Sequence, residues 1–400
     1  MMLAYLNMFG FIILHDVIGL QGNWGWFSAG LVVAFSSALL TWGAYRFISA
    51  SKEIKVNTFK LGISVLAFSS LDLILLKLLP VLRISFGPVR LPWISLMIVR
   101  IGLAMIWVLL IEFPARIKVI NTFIKMRKPF YLAQGMMCLI MIYAFYWGPS
   151  QLSISFYEEE IPVETDLPIR IIHLTDIHME RLTGRDEKML EEISNLQPDL
   201  IVLTGDYLNT SYLEDPTAMQ DAIKIFSSLE APLGVYAVDG NVDGDSQMLQ
   251  LFKGLDAITV LEDEVVPVPG IEGMNIVGIS LDGYHVNANK MAMLEKKLPE
   301  NGFEIFLHHK PGLIEWASEK GADLYLAGHT HGGQIRLPFY GAITTFSIFG
   351  KEYEMGRYQV GEMTGFISRG IGMEGGQIPR VRFLCPPEIV VVDLVPPIDS

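Results

Sequence analysis

The sequence predicts an α/β domain preceded by an all-α transmembrane region, and two observations carry that reading. From residue 168 onward, short apolar runs alternate with amphipathic stretches of helical period, the pattern of strands and the helices that cover them. Before residue 150 the chain instead holds five apolar blocks, near 2–21, 27–49, 61–82, 93–113 and 130–148. At about 20 residues each is long enough to cross a bilayer as a helix. With 51% hydrophobic residues the chain is too apolar for an ordinary soluble enzyme, and the excess lies in those blocks. The expected organisation is a membrane domain of about five helices over 1–150, a linker over 151–167 and an α/β domain over 168–395.

The first block lacks the basic start of a signal peptide and more blocks follow it, so it counts as a span, although His15 and Asp16 interrupt it. Charge divides the chain at the same place. Residues 1–150 hold 13 basic and 4 acidic residues, net +9, and the remainder holds 17 and 39, net −22. Arg46, Lys52, Lys55 and Lys60 lie in one inter-block loop and Arg116, Lys118, Lys125, Arg127 and Lys128 in another, which predicts both loops to be cytoplasmic. The loop with only Arg83 and Arg90, and the acidic Glu158–Glu160 after the fifth block, then fall on the far side. The expectation is a multi-pass protein of the plasma (inner) membrane whose α/β domain is extracytoplasmic.

Composition excludes other classes. Cys138 lies in the fifth block and Cys385 near the end, which gives neither a disulfide framework nor a thiolate zinc site. Any metal must be held by nitrogen and oxygen. The acidic domain has no basic stripe for phosphate contacts, so nucleic acid is not an expected partner.

The α/β region reads as IRIIHLTDIH strand, RDEKMLEEISNL helix, PDLIVLTGD strand, PTAMQDAIKIFSSL helix, and GVYAVDGNVD strand running into a loop. NIVGISLDG and ENGFEIFLHHKP are strands, PGLIEWASEK is helix and ADLYLAGHTH strand. In such sheets ligands gather where the strands end, and the polar residues fall there. Asp176 and His178 close the first strand, Gly205 and Asp206 the second, and Gly240, Asn241 and Asp243 the third. His309 and then His329 with His331 follow later strands. Residues i and i+2 of a strand share a face, so Asp176 with His178, and His329 with His331, are expected to point as pairs. Gly332 and Gly333 would form the turn that presents the last two imidazoles to a shared ion.

A single histidine at a strand end is ordinarily a satisfied polar residue, and Gly-Asp is common in loops. The ordered set is another matter: Asp-x-His, Gly-Asp, Gly-Asn-x-Asp, His-Lys-Pro and Gly-His-Thr-His each follow an apolar strand. His15, His173 and His285 lack a motif and read as structural, while His308 stays ambiguous. Taken together, the motifs over residues 168–395 resemble the calcineurin-like metallophosphoesterases. GHTHGGQIRLPFYGA, SRGIG and CPPEIVVVDL resemble the bacterial membrane-associated branch, which includes phosphodiesterases and pyrophosphohydrolases of lipid A precursors. The membrane region lies outside the resemblance.

The resemblance implies a four-layer α/β/β/α sandwich holding two divalent metal ions. Asp176, His178 and His331 would bind the first with Asp206. Asp206 would bridge to the second, which Asn241, His309 and His329 complete. His309 rather than His308 matches the family's pattern. Imidazole, carboxylate and amide ligands suit manganese, iron or zinc. The implied function is a membrane-bound phosphohydrolase cleaving phosphodiester or pyrophosphate bonds, with a phospholipid or lipid-linked phosphoester at the membrane as substrate. The alternative is a weakened metal- or nucleotide-binding sensor coupled to the spans.

Asp206, Asn241 and Asp243 are the residues expected in catalysis. One departure concerns leaving-group protonation: the family reads Gly-Asn-His-Asp/Glu where this chain has Val242, and the lost general acid is ordinarily worth about 10²–10⁴-fold in rate. Three accounts stay open: a good leaving group, another donor such as His308, or lost catalysis. Within the predicted spans, Asp72, Lys77 and Arg100 raise a choice between a structural Asp72–Arg100 pair and a path for a headgroup or solute.

Overall fold

The computed structural model describes residues 58–112, 128–161, 168–281, 288–299, 302–345, 347–375 and 380–396. The first two apolar blocks, His15 and His285 lie outside them. Contact density divides the chain into one unit of Met1–Leu75 with Pro92–Ile140 and another of Leu76–Leu91 with Met141–Ser400.

In the first unit run α1 (Thr58–Leu78), α2 (Arg90–Glu112) and α3 (Lys128–Ile142). Among the described residues, three helical stretches, Lys60–Leu78, Arg90–Trp107 and Lys128–Ser150, are long and apolar enough to cross a membrane. Their polarity is inverted relative to a soluble bundle. Leu66, Ile74, Leu132 and Leu139 are exposed, while Asp72, Arg100 and Gln134 are fully buried. The Arg100 guanidinium forks onto the Asp72 carboxylate, Nε to Oδ2 at 2.5 Å and Nη2 to Oδ1 at 2.6 Å. Its Nη1 donates to Gln134 Oε1 at 2.8 Å and its Nη2 to Cys138 Sγ at 3.1 Å. A bidentate, fully partnered pair is the arrangement that makes an ionised couple tolerable away from water. Lys77 is exposed in the last turn of α1, where a long stem reaches outward.

Two six-stranded sheets form the second unit. The first has the order β1-β14-β2-β3-β4-β5, from β1 (Ser153–Glu160), β2 (Ile169–Leu174), β3 (Leu200–Thr204), β4 (Val235–Val238), β5 (Ile258–Val260) and β14 (Glu388–Val395). The second has the order β12-β13-β9-β8-β7-β6, from β6 (Glu264–Pro267), β7 (Met274–Ile279), β8 (Phe303–His308), β9 (Leu324–Ala327), β12 (Gly356–Val360) and β13 (Met363–Ile367). Strands β2 to β5 run parallel, as do β7, β8, β9 and β13.

Alternation along each strand builds the layers. Ile171, Leu200, Val202 and Val238 of the first sheet meet Ile305, Leu307, Leu324 and Leu326 of the second in one buried core. On the outer face of the first sheet, Ile172, Ile201 and Ala237 pack under α4 (Gly184–Leu196), α5 (Pro216–Phe226) and α6 (Asp245–Phe252) through Met189, Phe226 and Leu251. Val277, Phe306 and Tyr325 of the second pack under α7 (Ala288–Glu295) and α8 (Ile314–Glu319). The result is the α/β/β/α sandwich, and strands buried on both faces explain why they read as continuous apolar runs.

The stretch expected as a linker over 151–167 is not one: Ser153–Glu160 is β1, an edge strand paired in parallel with β14 from Ser153↔Glu388 to Glu160↔Val395. Its exposed alternate residues hid it. The segment between α1 and α2 also belongs to this unit. Phe86 N–H donates to Glu180 Oε2 at 2.6 Å, Tyr212 O–H to Phe86 O at 2.7 Å, and Arg83 Nη2 to Leu182 O at 3.0 Å.

Candidate dinuclear metal site

The candidate residues converge where the strands of both sheets end. They do so from turns rather than from pleated strands. Asp176, His178, Asp206, His329 and His331 all have positive φ, between 44° and 68°. Left-handed backbone costs a non-glycine residue of order 1–3 kcal/mol and persists only where the surroundings impose it. The i, i+2 strand argument therefore fails. His329 and His331 serve two different groups and not a shared ion, because the chain turns between them at Thr330.

The first group is Asp176, His178 and His331, the second Asp206, His309 and His329, with ligand atoms in each within 4.8 Å of one another. His331 Nε2 lies 3.3 Å from Asp176 Oδ1 and 3.1 Å from His178 Nε2. Asp206 Oδ2 lies 3.6 Å from His178 Nε2 and 3.3 Å from His309 Nε2, so this one carboxylate faces both groups. Asn241 Oδ1 is 3.2 Å from His309 Nε2. His309 donates Nδ1–H to Thr204 O at 2.7 Å, which turns Nε2 into the site, where it would offer a lone pair once a cation displaces its proton.

Close backbone approach fixes the cradle. A Cβ on Gly328 would sit 2.2 Å from Asp176 Oδ2, and one on Gly240 would sit 2.2 Å from Asp206 Oδ1. The His329 N–H holds the Asp176 carboxylate at 2.9 Å, and the Val242 N–H holds Asp206 Oδ1 at 2.9 Å.

Charge follows from this geometry. Burial lifts the Asp176 carboxyl to about 6 against the pull of His309. Burial works to raise Asp206 as well, but the charge and hydrogen bond of His309, then His178, hold it below the carboxylate range. His309 is desolvated too, yet Asp206 lifts it to about 9. Burial, then His178 and Arg382, push His331 well below the usual imidazole value. Buried carboxylates facing imidazole nitrogens at 3.3–4.0 Å suit cations, and the nitrogen and oxygen donor set fits two divalent ions.

Asp243, expected among the catalytic residues, is a positioning residue. Its carboxylate accepts the N–H groups of Asp206 at 2.6 Å, Tyr207 at 3.0 Å and Gly240 at 3.0 Å, which ties the loops after β3 and β4 together. His308 stands outside both groups. It shares the Phe306 face of β8, its Nδ1 lies 2.9 Å from Ile279 O, and burial lowers it to about 4. A neutral imidazole bonded to a neighbouring strand is no proton donor for this site. His173 is buried against Thr204 Oγ1 at 2.8 Å and belongs to neither group.

Two contributors carried no motif. Glu374 Oε2 lies 3.1 Å from His178 Nε2 and joins His178 and Asp206 in a third ligand-type group. Arg382, fully buried, donates Nη1 to His331 O at 3.2 Å. Only the nearby SRGIG signal marks the segment that brings Glu374 in.

Residues 169–333 match the family model for calcineurin-like phosphoesterases. The metallophosphoesterase YkuE of Bacillus subtilis is 33% identical over 230 residues, which are 56% of this chain and 78% of that one. The chain belongs to the calcineurin-like metallophosphoesterases. A metallophosphoesterase of Aquifex aeolicus is 30% identical over 254 residues, covering 59% of this chain and 88% of the relative. The phosphodiesterase YaeI of Escherichia coli is 29% identical over 239 residues, 57% and 83% of the two chains. As a member, the metallophosphoesterase is a metal-dependent phosphohydrolase of a dinuclear family.

Proposed function

We propose that this metallophosphoesterase is membrane-bound and hydrolyses phosphodiester or pyrophosphate bonds of a lipid or cell-envelope substrate, using two ions from the manganese, iron and zinc group. The single observation that carries the reading is Asp206, one carboxylate facing two complete histidine-containing groups. Asp176, His178 and His331 would hold one ion, Asn241, His309 and His329 the other, and Asp206 both. When bound, such a pair lowers the pKa of a shared water and clamps the attacking and leaving oxygens of an in-line displacement at phosphorus. The chain's own part is positional: Val242 N–H and Asp243 fix Asp206, and Thr204 O fixes the His309 ring.

Membrane attachment rests on the three apolar helices and their buried polar interior. Helix lengths, the inverted polarity and the branch resemblance support a substrate presented at the membrane, and the charge asymmetry of the loops supports an extracytoplasmic domain in the plasma membrane. Leu76–Leu91 and the phosphoesterase sandwich form one unit, which supports placing both on the same side. The sensor reading is favoured by Val242 alone.

The test is hydrolysis of bis-p-nitrophenyl phosphate by the detergent-purified full chain with manganese, beside Asp206→Asn. Activity that falls at least about 10²-fold in the variant supports the enzyme. Metal binding without cleavage by the parent would instead leave a sensor.

A further inference from the structure

The stretch after the last histidine motif leaves the site as a hairpin of β10 (Arg336–Leu337) and β11 (Gly341–Ala342), with Leu337 opposite Gly341. Its surface and the loop after it concentrate exposed apolar side chains. Phe339 at the tip is fully exposed, Ile348 is 82% exposed, and Leu337, Tyr340, Ile343 and Leu384 are exposed as well. Exposed apolar residues concentrated on one short segment mark a contact surface.

Where the hairpin is attached decides what it contacts. Phe383 N–H donates to Gln334 O at 2.8 Å, Arg336 N–H donates to Phe383 O at 3.0 Å, and the Phe383 ring stacks edge-on against Tyr143 at 5.3 Å. Arg382 N–H donates to Ala144 O at 3.0 Å. Tyr143–Trp147, sequence YAFYW, is a π-helical turn near the end of the membrane-length stretch Lys128–Ser150, and its Trp147 is exposed. Aromatic clusters at the end of an apolar helix sit at the bilayer–water boundary. Through Phe383 and Arg382 the hairpin is tied to this turn. Lys351 lies over the Tyr340 ring at 3.8 Å, a cation beside an exposed aromatic as interfacial segments carry.

Resting on the membrane reading above, we propose that the β10–β11 hairpin dips its apolar tip into the leaflet next to the last span and lifts lipid phosphoesters toward the metal site. His331 and Leu337 are six residues apart, at most about 22 Å of extended chain, so a lipid held by the hairpin has its headgroup within reach of the cluster. Arg336 stiffens the base, with Nη1 on Gly332 O at 3.0 Å and Nη2 on Glu354 Oε1 at 2.7 Å. The partner is the lipid surface of this protein's own membrane.

The test uses the full chain in vesicles of phosphatidylethanolamine and phosphatidylglycerol. A nitroxide is attached at Phe339→Cys, with the parent as background because Cys138 and Cys385 are buried. The expected label is relaxed by oxygen and shielded from water-soluble nickel chelate. In parallel, a Phe339→Ser, Ile343→Ser and Ile348→Ser variant should lose at least about tenfold on a lipid phosphodiester in vesicles, with bis-p-nitrophenyl phosphate hydrolysis unchanged. A label open to the chelate while the parent cleaves lipid overturns the hairpin's role and leaves the lipid reading standing. A shielded label with no lipid cleavage by either protein supports docking and removes the lipid reading. Concentration-dependent dipolar broadening would assign the surface to a second copy and overturn the proposal.

Discussion

Asp206 shows how single residues set this site. Its own N–H is held by Asp243, its Oδ1 by the Val242 N–H, and its Oδ2 faces His178 and His309. The backbone at 242 thus keeps its positioning part while the side chain cannot donate a proton. Val242→His is expected to raise turnover of diesters with poor leaving groups by about 10²-fold or more and to leave activated nitrophenyl diesters nearly unchanged. Equal rates for both substrate classes, parent against variant, would count against a leaving group that needs no acid. Glu374 is the second test at this scale. Its carboxylate sits 3.1 Å from His178 Nε2 beside the first group, so Glu374→Ala is expected to weaken manganese binding by about tenfold or more in calorimetric titration of the stripped protein. Unchanged affinity would mean that the carboxylate only fills space.

At the scale of elements, the site depends on how closely the turn after β9 approaches the turn after β2. Gly328→Ala would place its Cβ 2.2 Å from both Asp176 Oδ2 and Thr175 Oγ1, so it should abolish metal binding at the first group while the sandwich persists. Gly184→Ala, at the start of α4 with nothing within 4 Å, should alter stability by no more than about 1 kcal/mol. Metal content and thermal melting of the two variants check both. Legibility followed the same divide. Strands β2, β3, β4, β7, β8 and β9 were readable because burial on both faces leaves uninterrupted apolar runs, and the polar residues after them marked the rim. Strand β1 was not, since an edge strand reading SISFYEEE is half exposed and its partner β14 lies more than two hundred residues on. Asp176 and His178 lie in one group, but left-handed turns and not pleating aim them. Glu374 had no motif, and nothing but tertiary packing brings its segment to His178.

Across the whole molecule, the Asp72–Arg100 pair separates structure from function in the helical unit. A fully buried bidentate pair that also engages Gln134 and Cys138 holds three helices together. Removing one partner leaves a charge without its counter-ion, a change that typically costs about 3–5 kcal/mol, whereas removing both removes the desolvation penalty along with the attraction. Asp72→Leu is therefore expected to lower the melting temperature of the detergent-purified protein by several degrees, and the Asp72→Leu, Arg100→Leu double variant to recover most of the loss. Hydrolysis of vesicle-borne phosphodiester should recover with it if the pair is structural. A double variant that melts like the parent but no longer hydrolyses lipid would place the pair on a path for the headgroup, since stability and activity would then have been uncoupled by the same two side chains.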